Sequence, residues 1–304
     1  MNYTLHQLRI FLKVAESQSI TKAAEELHLT QPAVSIQLKN LQDQFELPLT
    51  EVVGRQLYVT DFGNHIAEVS RRILEETDNI RYTIDQYKGL LSGKIKVSVV
   101  STGKYVIPYF LKPFMDKYPG VEISLDVSNK TTVVQNLIRN ETDFSLVSVL
   151  PDQIEVNAVE LMENRLFLVA SSEFAHPPKR IKDLENTTLL FREKGSATRK
   201  AMEAYLESHN IRPKKTMELV SNEAVKQAIN AGIGLSIVPL IGLRNELATG
   251  TMRIIKMKGL PIVTTWNLVF NKGKKLIPAQ QELIRFIENQ KEETIQRYFD
   301  WAVS

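Results

Sequence analysis

Between Asp61 and about Leu91 the chain keeps one unbroken helical pattern without a proline. At about 1.5 Å of rise per residue such a helix reaches roughly 45 Å, too far to fold back inside a small globule. It must join two bodies or present itself to a partner, and its flanks differ accordingly. Up to about Thr60 the pattern is helical and compact, closing in a short strand pair. From Gly93 onward β-branched runs alternate with amphipathic helical stretches, the pattern of an α/β domain with a mainly parallel sheet. The expected organisation is therefore a head over residues 1–60, a connecting helix over 61–91 and an α/β domain over 92–304.

Within the head, Leu5, Leu8, Phe11, Leu12 and Ala15 are spaced as the buried face of a first helix. Thr21 is expected to cap a short second helix, His28 and Leu29 make the turn, and Thr30 caps a third helix with Pro32 in its first turn. At 100° per residue, Val34, Leu38, Leu41 and Phe45 face the core, and Pro32, Ser35, Ile36 and Lys39 lie opposite. Small, hydroxyl, apolar and cationic groups on one face suit a major groove edged by phosphates. Residues Leu49 to Thr60 read as a hairpin wing with Arg55 at its tip. The unit is a winged helix-turn-helix, with double-stranded DNA as the expected partner of Thr21, Thr30, Gln31, Pro32, Ser35, Ile36, Lys39 and Arg55. Charge does not carry this reading. The head holds five basic residues (Arg9, Lys13, Lys22, Lys39, Arg55) against six acidic ones, and the whole chain is only +3. A small helical unit used for protein contacts is the alternative.

Along the connecting helix Ile66, Ile73, Ile80 and Tyr87 recur every seven residues, with Ser70, Thr77, Ile84 and Leu91 four positions after each. This is a heptad seam weakened by its two hydroxyl residues, and it points to a second copy of the chain. The alternative is a single amphipathic helix lying on its own domain.

Beyond Gly93, strands are expected over Lys94–Val100, Val121–Val127, Asp143–Val147 and Leu166–Ala170. Ligands in such sheets sit beyond the carboxyl ends of strands, near helix N-termini. Ser101, Thr102, Thr131, Thr132 and Ser148 occupy those ends. Arg192 and Arg199, with Ser196 and Thr198 in the turn between them, are expected to cradle an anion, and Asn222 opens a later helix. A second subdomain is expected to begin near Leu161 and the chain to return near Leu268, giving about 92–161 with 268–304, and about 162–267.

The chain has no cysteine, which excludes disulfides and thiolate metal sites and suits a reducing cytoplasm. The first residues lack the basic and apolar segments of a signal peptide, and the apolar runs are strand-length, so no membrane partner is expected. No phosphate loop, nucleophile elbow or paired histidines appear, so no catalytic residue, metal or cofactor is expected beyond a small-molecule effector.

The ordered run Phe11…Val14-Ala15-Glu16…Ser19-Ile20-Thr21…Ala23-Ala24…Leu27…Leu29-Thr30-Gln31-Pro32-Ala33-Val34-Ser35…Leu38…Leu41, continued by Leu47-Pro48-Leu49, Gly54-Arg55 and Thr60…Gly63, resembles the LysR-type transcriptional regulators. That resemblance implies dimers through the connecting helix, assembly into tetramers, RNA polymerase as a partner, and a two-subdomain effector domain like that of periplasmic binding proteins. Arg192-Glu193…Gly195-Ser196…Thr198-Arg199, with Ser35 to Lys39 and Val53 to Arg55, looks closest to the branch regulating RuBisCO and Calvin-cycle operons, which implies a small anionic metabolite as effector. The rivals are a constitutive regulator without effector and a solute-binding protein. Two departures stand out: Ile36 replaces the family's usual arginine, and Leu49-Thr50-Glu51-Val52 replaces Leu-Phe-Glu-Arg before the wing. Both remove a phosphate or base contact, and Thr50 is expected to weaken an apolar packing position.

Overall fold

The computed structural model describes residues 2–54, 56–87 and 90–303, with the side chains at 79, 81, 83, 85–87 and 303 outside the description. The chain divides into two compact units, Met1–Leu90 and Leu91–Ser304.

In the first unit α1 (Leu5–Ser17) starts at a capping box: the Thr4 hydroxyl accepts from the Gln7 N–H and the Gln7 side chain accepts from the Thr4 N–H. Helix α2 (Ile20–Glu26) is capped by Ser19, whose Oγ accepts from the Lys22 N–H. Thr21 is therefore not the cap; it is already helical, and exposed. Helix α3 (Gln31–Gln42) is capped by Thr30 with Pro32 in its first turn, and it buries Val34, Leu38 and Leu41. The wing is an antiparallel pair, β1 (Thr50–Val53) and β2 (Gln56–Val59). Thr50 compensates for the lost apolar contact with a polar tie, because its N–H and its hydroxyl both donate to Oε1 of Gln42 at the end of α3.

Helix α4 (Asp61–Tyr87) follows directly, and Leu90 and Leu91 lie outside it, short of the expected end. Its first half packs on the head: Ala67, Ser70 and Leu74 are buried, and Ile66 and Ile73 lie against the head's core. This second partner explains why α1 buries Leu8, Ile10, Phe11 and Val14 while Leu5 stays exposed. The buried arc of α1 is rotated by roughly 90° from that of Leu5, Leu8, Phe11, Leu12 and Ala15.

The second unit is built on a seven-stranded mixed sheet, not a mainly parallel one. Strand β3 (Ser92–Val100) pairs in parallel with β4 (Gly120–Ser128) and β5 (Phe144–Val147). Helices α5 (Ile107–Lys117) and α6 (Lys130–Ile138) connect these strands. Strand β6 (Val156–Ser171) then runs sixteen residues without a break, so the boundary expected near Leu161 falls inside it. The following elements are β7 (Thr188–Arg192), α7 (Ala197–Ser208), β8 (Lys215–Leu219), α8 (Asn222–Asn230), β9 (Ser236–Pro239), α9 (Arg244–Ala248) and β10 (Met252–Ile255). Strand β11 (Ile262–Asn271) returns antiparallel along β6, from Ile262 opposite Leu166 to Asn271 opposite Val156, so the return expected near Leu268 also lies mid-strand. Helices α10 (Pro278–Tyr298) and α11 (Asp300–Val303) close the chain.

Two lobes hang on this ladder. The first half of β6 belongs to a sheet with β11, β5, β3 and β4 over a core that includes Phe114, Phe144 and Trp266. The second half pairs with β9 and β10 beside the β7–β8 pair, over cores holding Leu189, Tyr205 and Ile237, and Leu190, Val225 and Ile229. No helix among the described residues is long and apolar enough to cross a membrane.

Candidate DNA interface and effector cleft

The face of α3 turned from its core presents Gln31, Pro32, Ile36 and Lys39 in the open, with Ser35 half-buried and Thr30 exposed at the cap. Ile36 is 57% exposed. An apolar group so placed is of the kind that can read a thymine methyl in the major groove. Two neighbouring cations are already engaged. Lys13 lies 3.3 Å from Glu16 and 2.9 Å from Glu26, and Arg71 of α4 lies 3.7 Å from Glu16. The hydrogen bond that Lys13 donates to Glu26 is the main cause that raises its pKa. Lys39 is exposed and forms no ion pair among the described residues. Arg55 lies outside the described residues, as does the side chain of Tyr87. On α4, Ile80 and Ile84 are exposed, whereas Ile66 and Ile73 are partly used by the head. Ile73 is shared: it packs on the head's core and also lines, with Val69, Arg72, Glu76, Thr77 and Ile80, a groove along α4.

In the second unit the lobes close over a narrow cleft of about 10 Å³, room for about one water, so a ligand enters only as they part. It brings together Ser101 and Thr102 from the end of β3, Arg192 from the end of β7, and Ser196 and Thr198 at the start of α7. Two capped helix N-termini converge there. Asn129 Oδ1 accepts from the Thr132 N–H at α6, and Ser196 Oγ accepts at α7. First-turn N–H groups have no partner within the helix, and the helix dipole favours negative charge at that end. Gly195, with φ of +90°, makes the approach between lobes possible: a Cβ there would stand 2.6 Å from the Thr131 hydroxyl.

The expected cradle of two arginines does not form. Arg192 is buried and fully committed: Nε and Nη2 each donate to Glu193 at 2.7 Å, Nη2 donates to Ser101 Oγ at 3.0 Å, and Nη1 donates to Asn222 Oδ1. Arg199 points to the outer side of α7, where it pairs with Glu203 at 2.7 Å and with Glu218. Thr131, Thr132, Ser148 and Asn222 also lie off the cleft lining; Asn222 supports Arg192 instead.

Sequence reasoning missed Asn129, Lys130 and Glu193, which do line the cleft. Asn129 carried a usable signal, since an Asn before a helical stretch is a preferred cap and puts Lys130 in the first turn. With Arg192 neutralised by Glu193, Lys130 is the uncommitted cation of the cleft. Burial, and secondarily the charge of Lys200, lowers its pKa.

The sequence matches two family models: the lysR-family bacterial regulatory helix-turn-helix protein over residues 5–64, and the LysR substrate binding domain over residues 88–292. It is 34% identical to the transcriptional activator CmpR of Synechocystis sp. strain PCC 6803, over 94% of this chain and 95% of that one. It is 36% identical to a RuBisCO operon transcriptional regulator of Allochromatium vinosum, over 94% and 96%. The fold superimposes on the Synechocystis PCC6803 CcmR regulatory domain, solved in complex with 2-PG, at 30% identity and a TM-score of 0.61, covering 69% of this chain and 99% of that one. With both family models matched and relatives similar over nearly the whole length, the chain belongs to the LysR family of transcriptional regulators.

Proposed function

We propose that this regulator binds operator DNA through the exposed face of α3 as a dimer joined along the second half of α4, and that a small phosphorylated anion in the cleft controls it. The observation that carries the effector class is the convergence of two helix N-termini with Lys130, a cation that forms no ion pair among the described residues, beside Ser101, Thr102, Ser196 and Thr198. Such a site holds a phosphate by backbone donors, hydroxyls and one ammonium. The relative solved with 2-PG supports this chemistry. A role on chromosomal DNA places the protein in the cytoplasm, and RNA polymerase is its further expected contact.

Calorimetry with 2-phosphoglycolate tests the effector reading. Saturable binding is expected, weakened about tenfold or more in Lys130→Ala, as for loss of a charge-assisted hydrogen bond. Because the Lys130 pKa is lowered, affinity should fall at a less alkaline pH than an ordinary lysine would dictate. An unchanged affinity in Lys130→Ala, or no binding of phosphate or carboxylate esters at all, would remove the proposal.

The dimer is tested away from the head's core. Ile80→Asp with Ile84→Asp is expected to leave the helical content intact and shift the protein toward monomer in sedimentation equilibrium. Operator affinity should drop by roughly 100-fold as two half-sites cease to act together. A doubly substituted protein that sediments as wild type rules this seam out.

A further inference from the structure

A second pocket lies where the lobes meet, lined by a residue set distinct from the effector cleft. Lys104 and Tyr105 come from the turn before α5, Lys226 from α8, Arg244 and Glu246 from α9, and Trp301 from α11. Three lining cations face one lining carboxylate, and Glu223, 3.4 Å from Lys226 just outside the lining, adds a second, leaving a net charge of +1 (three minus two). Glu246 binds Lys226 at 2.6 Å through one oxygen, and its other oxygen is buried with no protein partner. The indole N–H of Trp301 is likewise buried and unpartnered. Lys104 and Arg244 have no carboxylate partner among the described residues and lie against rings instead, Lys104 at 5.1 Å from the Tyr105 centroid and Arg244 at 5.8 Å from that of Trp301.

Each feature asks for a different part of a ligand. Two rim cations suit a dianion, the rings suit a flat aromatic group, and an unpaired buried acceptor suits a donor on that group. Buried polar atoms are normally paired, and two orphans within one lining are accounted for by an occupant the chain does not supply. We infer that this pocket is a second ligand site, for an aromatic phosphomonoester whose ring carries a hydrogen-bond donor. Such a ligand touches both lobes and sits apart from the effector cleft.

The test titrates 4-aminophenyl phosphate into the full-length protein and follows Trp301 fluorescence. Trp266, the other tryptophan, is fully buried in the core. Saturable quenching is expected, persisting in excess 2-phosphoglycolate and absent in Trp301→Phe. Lys104→Ala with Arg244→Ala should weaken it about tenfold or more, and phenyl phosphate, lacking the donor, should bind several-fold more weakly. Inorganic phosphate should not quench. Both substituted rim residues are exposed, so these variants should fold. Absence of saturable quenching, displacement by 2-phosphoglycolate, or undiminished affinity in the double variant overturns the inference.

Discussion

Arg192→Ala is expected to destabilise the second unit by about 3–5 kcal/mol, the cost of leaving a buried ion pair with one partner. The guanidinium is the single hub for Glu193, Asn222 and Ser101, and its side chain is 3% exposed against 16% for Glu193. Removing it strands a largely buried carboxylate and unpairs Asn222 Oδ1, while also cutting a link from β7 to the end of β3. Urea unfolding of the full-length protein should show the loss as a lower midpoint for the transition of this unit. Arg192→Met combined with Glu193→Leu should recover much of the stability, since it removes both charges and keeps the volume. If Arg192→Ala unfolds at the wild-type midpoint, the hub is not structural, and the arginine is available to a ligand after all.

Gly63→Ala should be the most damaging methyl in the head. Thr60 sits at the base of the wing, its hydroxyl donating to the Pro48 carbonyl at 2.6 Å and accepting from the Gly63 N–H at 2.9 Å. This clamps the start of α4 against the wing so closely that a Cβ on Gly63 would stand 2.0 Å from the Leu49 carbonyl oxygen and 2.8 Å from Val59. Backbone cannot yield as a side-chain tip does. The wing or the helix must therefore shift, at about 3 kcal/mol, the upper end of overpacking penalties. Operator binding in a mobility-shift assay should be lost while effector binding by calorimetry persists. Wild-type operator affinity in Gly63→Ala would show that the wing's seat on α4 does not matter to DNA recognition.

The head was the most legible part of the chain because its information is local. Thr30, Pro32 and the 100° arithmetic of Val34, Leu38 and Leu41 concern neighbours in sequence, and the helix they describe is the helix observed. What failed depended on a partner elsewhere. Leu5 was misplaced because α4 rotates the buried face of α1, and Ile66 and Ile73 looked like seam residues because periodicity does not say which surface they meet. Ser101 and Thr102 were singled out at a strand end, and Arg192, Ser196 and Thr198 around a turn between two arginines; both are local signals, and all five line the cleft. That Glu193 would consume Arg192, and Glu203 and Glu218 would consume Arg199, was not readable, since a charge's partner is decided by tertiary geometry. Lys130 was hidden for the same reason: its value lies in what fails to reach it.

The shared ladder of β6 and β11 has a bearing on how such proteins can be taken apart. Each lobe borrows half of the same two strands, so neither can be excised as a cassette without leaving the other a raw sheet edge. Grafting a new sensing specificity onto this regulator must therefore respect the whole of Leu91–Ser304 as one inheritable piece. Recombination is therefore best aimed at the boundary of the two compact units, between Leu90 and Leu91.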